Sequence, residues 1–460
     1  MRKIYIIAAV AFTFAACKPS VKISAPVSPG SATFTNYLAI GNSLTAGYAD
    51  NTLYLTGQIN SYPQRLFEQF SMITGDRGAK GPFIQPLLHG NDGYPGAKLI
   101  MGVSTNTCTG TSSLGPMSVP NYVADPLDAN VYVSPVNNGQ INNIGVPGIR
   151  IADYIVPGYA SIFNPYAARF YADPAGTPMK ELKTMVNNLY PTFFTFWLGA
   201  NDVLGYASNG GQGRGADSAA PVFGDFYNPN DITPTYVFEK LYDSALKIAS
   251  STGASGALIN IPDITSIPAF TTIPADGLFL VRQSQADSLN AFWHTSFPDI
   301  SFKIGHNLFI IQDNAGQTRQ AVPGELIILS SSILNNITCQ GWGSYTPILK
   351  GSVLTTDEIQ FIRTATARFN DFIEKEALKY NLAYVDMFTY LKTVAGGIAY
   401  NGIDYTAQYV SGGAFSLDGV HLTPRGYALV ANEIIKTINA KYHSTIPYAD
   451  VNRYNGVIFP

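Results

Sequence analysis

The sequence predicts an α/β fold: a doubly wound sheet of about five parallel strands with helices on both faces and long loop insertions. Three observations predict it. Short apolar, β-rich runs alternate with helical patterns along the chain, as parallel strands joined by crossover helices do. The run "TFFTFWLG" (192–199) is aromatic and apolar throughout, as a strand buried on both faces must be. Short polar groups stand where such runs end, and right-handed crossovers bring every strand's C-terminal end to one edge of the sheet.

In chain order, residues 1–17, "MRKIYIIAAVAFTFAAC", set Arg2 and Lys3 before an apolar stretch. That stretch is shorter than the ~20 residues of a bilayer span and has the layout of a secretory leader. Its end resembles a bacterial lipobox, which implies lipidation at Cys17. Ordinary leader cleavage with an incidental cysteine is the alternative. Residues 18–33 contain Pro, Ser and Gly without periodicity and read as a flexible tether.

Strands are expected at about 36–40, 141–144, 192–199, 256–261 and over "LAYVDMF" (382–388). Between them, helices are expected at 61–70, with Pro63 near the start, around 180–189, and at 233–250. The longest helical pattern begins with Thr355 or Thr356 as N-cap and Glu358 in its first turn. The last helix runs over 423–442, and 446–460 form a C-terminal tail. Stretches of about 74–140, 205–231 and 262–352 show little periodicity and read as insertions. Loops that long in a compact domain are usually functional.

Charged residues are 13% of the chain and the net charge is −3, so neither nucleic acid nor an anionic membrane surface is suggested as a partner. The 28 Tyr, 26 Phe, 42 Gly and 29 Pro suit a loop-rich extracytoplasmic protein. Beyond Cys17 there remain Cys108 and Cys339, which either pair across two insertions or stay as free thiols. Neither CxxC nor HExxH occurs, so no metal and no cofactor is expected.

Chemistry concentrates in the polar groups. Ser43 follows the first strand in "YLAIGNSLTAGYAD" (37–50), where a turn into a helix exposes its hydroxyl on the ligand edge and helix amides favour developing negative charge. A serine alone is a poor nucleophile. His421 of "DGVH" supplies a base, and Asp418, three residues earlier, a carboxylate that fixes the imidazole tautomer. Thr423 and Pro424 start the helix that holds this turn. Taken singly, each group also reads as a helix cap, a surface turn or a glycine turn.

In this order the blocks "GNS", "NNIGVPG", "GAND" and "DGVH" resemble the SGNH family of GDSL-type esterases and lipases, from about Asn36 to Tyr442, with only the core blocks matching. Residues 34–445 are accordingly read as the hydrolase domain. The resemblance implies the SGNH hydrolase fold, a flavodoxin-like doubly wound sheet, with Ser43 as nucleophile and Asp418 and His421 as its partners. It further implies an oxyanion hole made by the backbone N–H groups of Ser43 and Gly148, the latter five residues after Asn143, and by the side chain of Asn201. Asn42 stands where the family name has aspartate; with the acid at Asp418, it is left to make turn hydrogen bonds.

The expected function is cleavage of a small-molecule, lipid or acylated-sugar ester. The expected location is the bacterial cell envelope, extracytoplasmic and lipid-anchored, with the outer membrane as the anchoring membrane. The alternatives are an O-acetyl carbohydrate esterase and a noncatalytic binding lipoprotein on the same scaffold. Gly-rich "NGGQGRG" (209–215) lacks a preceding strand and a following Lys-Ser/Thr, and reads as a flexible insertion rather than a phosphate loop. In "NIPDITSIPAF" (260–270), which resembles a cleft-bordering segment of GDSL lipases, Asp263 either contacts substrate or forms a turn.

Overall fold

The computed structural model describes residues 26–106, 108–129, 140–215 and 228–460. The expected leader with Cys17, and the tether as far as residue 25, lie outside the described residues.

Five strands form the central sheet: β1 (Tyr37–Gly41), β2 (Asn143–Gly145), β3 (Phe193–Trp197), β4 (Ser255–Ile259) and β5 (Ala383–Val385). Neighbours pair in parallel in the spatial order 2-1-3-4-5. This is the predicted doubly wound α/β sheet, in the flavodoxin-like order that opens a crevice where the winding reverses, between β1 and β3. Every residue of β1 and β3 is buried, which is why both runs are apolar without alternation. β2 starts later than expected, just after Asn142, which still bonds β1 through its carbonyl, accepting from Ala39 N (2.7 Å). The Asn142 N–H donates to Ile84 O (2.7 Å), and its side chain joins Tyr37 O (2.8 Å) to Ile84 N (2.8 Å).

The helices that flank the sheet are α1 (Tyr62–Phe70), α2 (Pro178–Leu189), α3 (Asn201–Ser208), α4 (Thr235–Ala249), α5 (Thr356–Lys379) and α6 (Pro424–Tyr442). α6 packs against α1, while α4 packs against both α2 and α5, giving a layer on each side. Two starts follow the local chemistry closely. Thr355 and Glu358 form a capping box on α5, and Thr423 accepts from Gly426 N to cap α6 with Pro424 at its first position. Stacked Phe238 and Phe369, 3.9 Å between ring centroids, pin α4 to α5. None of the described helices is long and apolar enough to cross a membrane.

Four segments differ from expectation. Residues 26–33, expected within a flexible tether, are bonded to the end of α6: Ser31 N donates to Tyr442 O (2.8 Å) and Thr445 N to Ser28 O (3.0 Å), and Ala32 is fully buried. The tail is likewise docked, Asn432 exchanging two hydrogen bonds with the Ala449 backbone. The stretch 262–352 is no plain loop. It builds short paired strands, helices Gln283–His294 and Ser331–Gln340, and two small cores, one around Phe309, Ile311 and Ile348 and one around Leu289, Trp293 and Phe302. The glycines of 209–215 serve packing: a Cβ on Gly211 would lie 2.3 Å from the Glu358 carboxylate.

Cys108 and Cys339 form a disulfide, with Cα atoms 5.7 Å apart. It joins the hairpin of Leu99–Thr105 and Ser112–Ser118 to helix Ser331–Gln340, and closes a loop of 231 residues. Replacing both cysteines by serine is expected to cost about 2–4 kcal/mol in urea unfolding and to open the hairpin to protease before the sheet. Equal urea midpoints for variant and wild type would contradict this.

Candidate active site

β1 ends at Gly41, where any side chain is excluded: a Cβ would sit 2.0 Å from Thr45 Oγ1 and 2.8 Å from Trp197 O. The chain turns at once into the helical turn Ser43–Ala46, capped by Asn42 Oδ1, which accepts from Leu44 N (3.1 Å). Asn42 is 1% exposed, so its neutral amide provides this cap without a buried charge beside Ser43.

Ser43 Oγ lies 2.8 Å from His421 Nε2, and His421 Nδ1 lies 2.9 Å from Asp418 Oδ2. The carboxylate beside Nδ1 requires the proton on that nitrogen, which leaves Nε2 to accept from the Ser43 hydroxyl. The loop carrying both residues is closed by Ser416 N donating to His421 O (2.8 Å) and is held below by Thr423, whose hydroxyl donates to Gly413 O (2.7 Å).

Asp418 is enclosed by donors. Oδ1 accepts from Val420 N (2.8 Å), His421 N (2.8 Å) and Ser416 Oγ (3.0 Å); Oδ2 accepts from Asn51 N (3.0 Å) as well as from His421. Burial by itself pushes this carboxyl up. The His421 charge and the hydrogen bonds outweigh it and hold Asp418 well below the usual carboxylate range.

Sequence reasoning missed the segment that reaches Asp418 from the other end of the chain. Asp50 and Asn51, with φ of +50° and +69°, form a two-residue turn closed by Thr52 N donating to Ala49 O (3.1 Å). The turn aims Asn51 N at Asp418, while the Asp50 carboxylate accepts from Leu417 N (3.0 Å) and the Tyr54 hydroxyl (2.7 Å). Tyr48 lays its ring 4.5 Å from the His421 ring. An Asp-Asn pair before a threonine is a turn signal; its target, 367 residues away, is not.

The three expected oxyanion donors come together at the same edge. The amides of Ser43 and Gly148 donate to no acceptor among the described residues, and Gly148 takes φ +80°, open to glycine. Asn201 starts α3 and uses one amide hydrogen on Ile149 O (2.9 Å), leaving the other. The next residue, Asp202, accepts from Ile151 N (2.9 Å) and the Thr233 hydroxyl (2.6 Å), so the ends of β2 and β3 are stitched by consecutive side chains. Asn143 ties β2 to the Ser43 turn through Thr45 O (2.9 Å).

Two hollows meet at Asn201 and Leu204. A slot of about 30 Å³ is lined by Ser43, His421 and apolar side chains that include Ile264, Ile267, Leu391 and Phe415. A cavity of about 530 Å³ runs from Gly148 past Tyr159, Phe163 and Tyr166. Asp263 takes the turn role, capping Ile264–Ser266 through Thr265 N (3.0 Å), while Pro262, Ile264 and Ile267 around it line the slot. Among the described residues, His89, Asp125 and Asp128 bring possible metal-ligand atoms within 4.8 Å of one another, but Asp128 is already bonded to the His89 amide (2.8 Å) and ring (3.2 Å).

At the C-terminal edge of the doubly wound sheet a hydroxyl, an imidazole and a carboxylate thus stand in a hydrogen-bonded line, beside amides that donate to no acceptor among the described residues. The sequence model of one family, described as GDSL-like Lipase/Acylhydrolase, matches residues 37–434, and the chain belongs to that family. Among curated proteins no sequence matches it significantly.

Asp202 offers a test of the stitching. Burial raises its carboxyl from 3.8 to about 6, against the hydrogen bonds from Thr233 and Ile151. A folded-state value above the unfolded one means that the bound proton stabilises the fold at low pH, and this contribution is lost as pH rises through about 6. In Asp202→Asn that loss is absent, so the variant should gain on wild type by up to about 3 kcal/mol between pH 4 and 7. A pH-independent difference in unfolding free energy would refute the assignment.

Proposed function

We propose that the protein is a serine hydrolase that cleaves carboxylic esters through an acyl-enzyme, with Ser43 as nucleophile, His421 as general base and acid, and Asp418 as the carboxylate that orients and charges the imidazole. The observation that carries this reading is the continuous line from Ser43 Oγ to His421 Nε2 (2.8 Å) and from His421 Nδ1 to Asp418 Oδ2 (2.9 Å). As Ser43 Oγ attacks the ester carbonyl, its proton passes to Nε2, and the ionised Asp418 stabilises the imidazolium. The carbonyl oxygen becomes an oxyanion, met by the amides of Ser43 and Gly148 and the free N–H of Asn201. His421 then gives the proton to the departing alkoxide. Water, deprotonated by the same nitrogen, releases the acid and restores Ser43.

In a noncatalytic binding lipoprotein on this scaffold, Asn42 would mark relaxed constraint on the site. Support for that reading weakens because Asn42 acts as a cap while the acid stands elsewhere. The lipobox-like end at Cys17 supports a lipid-anchored envelope protein, and loss of lipid labelling in Cys17→Ser would agree with it.

Ser43→Ala is expected to lower kcat for p-nitrophenyl acetate by at least ~10³-fold with the fold intact, and to abolish labelling by a fluorophosphonate probe. Asn201→Ala should lower kcat by roughly 10²–10³-fold with labelling retained but slower. Unchanged turnover in Ser43→Ala would defeat the proposal.

A further inference from the structure

α6 fixes where the chain enters the domain relative to the site. Its cap, Thr423, stands two residues after His421 at the catalytic edge, and its 19 residues reach about 28 Å to Tyr442 at 1.5 Å per residue. There the Tyr442 hydroxyl donates to Gly256 O (2.7 Å) and accepts from Gly256 N (3.0 Å) at the start of β4, so α6 ends at the opposite, N-terminal edge of the sheet. The first described residues are strapped to this far end. Thr445 Oγ1 donates to Pro26 O (3.0 Å) and accepts from Ser28 N (2.8 Å), Arg77 Nη1 donates to Gly30 O (2.8 Å), and Tyr442 O leaves no room for a Cβ at Gly30. The chain therefore enters at Pro26, on the side of the sheet away from Ser43.

Cys17, where the lipobox-like sequence ends, lies nine residue steps before Pro26. Fully extended, those steps reach at most ~32 Å, and a free coil of that length averages roughly 15–18 Å. For the catalytic edge to meet a bilayer that holds Cys17, Pro26 would have to stand above it by the length of α6, about 28 Å, plus the loops beyond the edge. The connection would then be pulled near full stretch, against its chain entropy. With the N-terminal edge toward the bilayer, or with the domain on its side, the connection is relaxed and Ser43 opens to the aqueous phase.

We propose that the anchored protein turns Ser43 away from the membrane that holds it, and that its substrate is an ester carried by a molecule in the aqueous phase rather than an acyl chain of that membrane's lipids. The inference rests on both the serine-hydrolase reading and the lipid anchor at Cys17.

The full-length lipidated protein in phosphatidylcholine vesicles separates the outcomes. Ser43 tagged with a fluorescent fluorophosphonate should transfer energy to headgroup acceptors as a dye ~28 Å or more above the surface does. p-Nitrophenyl acetate in the buffer should be turned over as fast as by Cys17→Ser protein free in solution, with release of fatty acid from the vesicle lipids no greater than in Ser43→Ala. Transfer that places the dye at the headgroups, or release above the Ser43→Ala level, would overturn the inference while both underlying readings stand. Ser43 left unlabelled with no ester turnover would remove the hydrolase reading, and protein that does not float with the vesicles would remove the anchor; either takes this inference with it.

Discussion

The site depends on one hydrogen bond, from the Ser43 hydroxyl to His421 Nε2, between residues 378 apart in the chain. No local preference brings them together. Parallel strands with right-handed crossovers do, because every strand then points its C-terminal end to the same edge. β1 delivers Ser43 directly from Gly41, and the loop that carries His421 is fastened at that edge by the cap of α6. The winding reverses between β1 and β3, so the connections after those two strands part there, and Gly148 and Asn201, which follow β2 and β3, line the cavity at that edge.

A buried carboxylate is the electrostatic cost of the arrangement. Asp418 is desolvated, which alone favours its neutral form, and its ionisation is recovered by five hydrogen bonds from two distant chain segments. The left-handed turn at Asp50 and Asn51 is explained by that need: it gives up ordinary backbone geometry to present one N–H to Asp418 Oδ2. Asn42 obeys the same economy of charge. A second ionised group beside Ser43 would repel the oxyanion, and the amide caps the turn without it.

What could be read in advance follows from the range of the interactions. The strands at Tyr37–Gly41 and Phe193–Trp197 and the caps at Thr355 and Thr423 depend on neighbours within a few residues and were legible. So were the polar blocks, whose order along the chain stands in for their convergence in space. The satellite cores of 262–352 were not, because strands such as Ile310–Gln312 are too short to show a period. Residues 26–33 have the same Pro, Ser and Gly content whether free or docked, and what separates the two is the burial of Ala32 and the bonds of Ser28 and Ser31 to Thr445 and Tyr442. The hold of Asn51 on Asp418 and the two hollows are products of tertiary packing alone.

The long insertion after β4 therefore has a role that its composition conceals. Helix Pro268–Thr271 begins immediately after the slot-lining Ile267, and Ala269 sits at a junction: its N–H donates to Gly419 O (2.9 Å), inside the loop of Asp418 and His421, while its carbonyl accepts from Leu329 N (2.8 Å) in the insertion. Ile273 pairs with Ile327, extending the same contact into the satellite core. The insertion thus braces the slot wall and the histidine loop together, from outside the sheet. The slot wall and the loop that carries Asp418 and His421 share this support, so a disturbance of the satellite core should reach both.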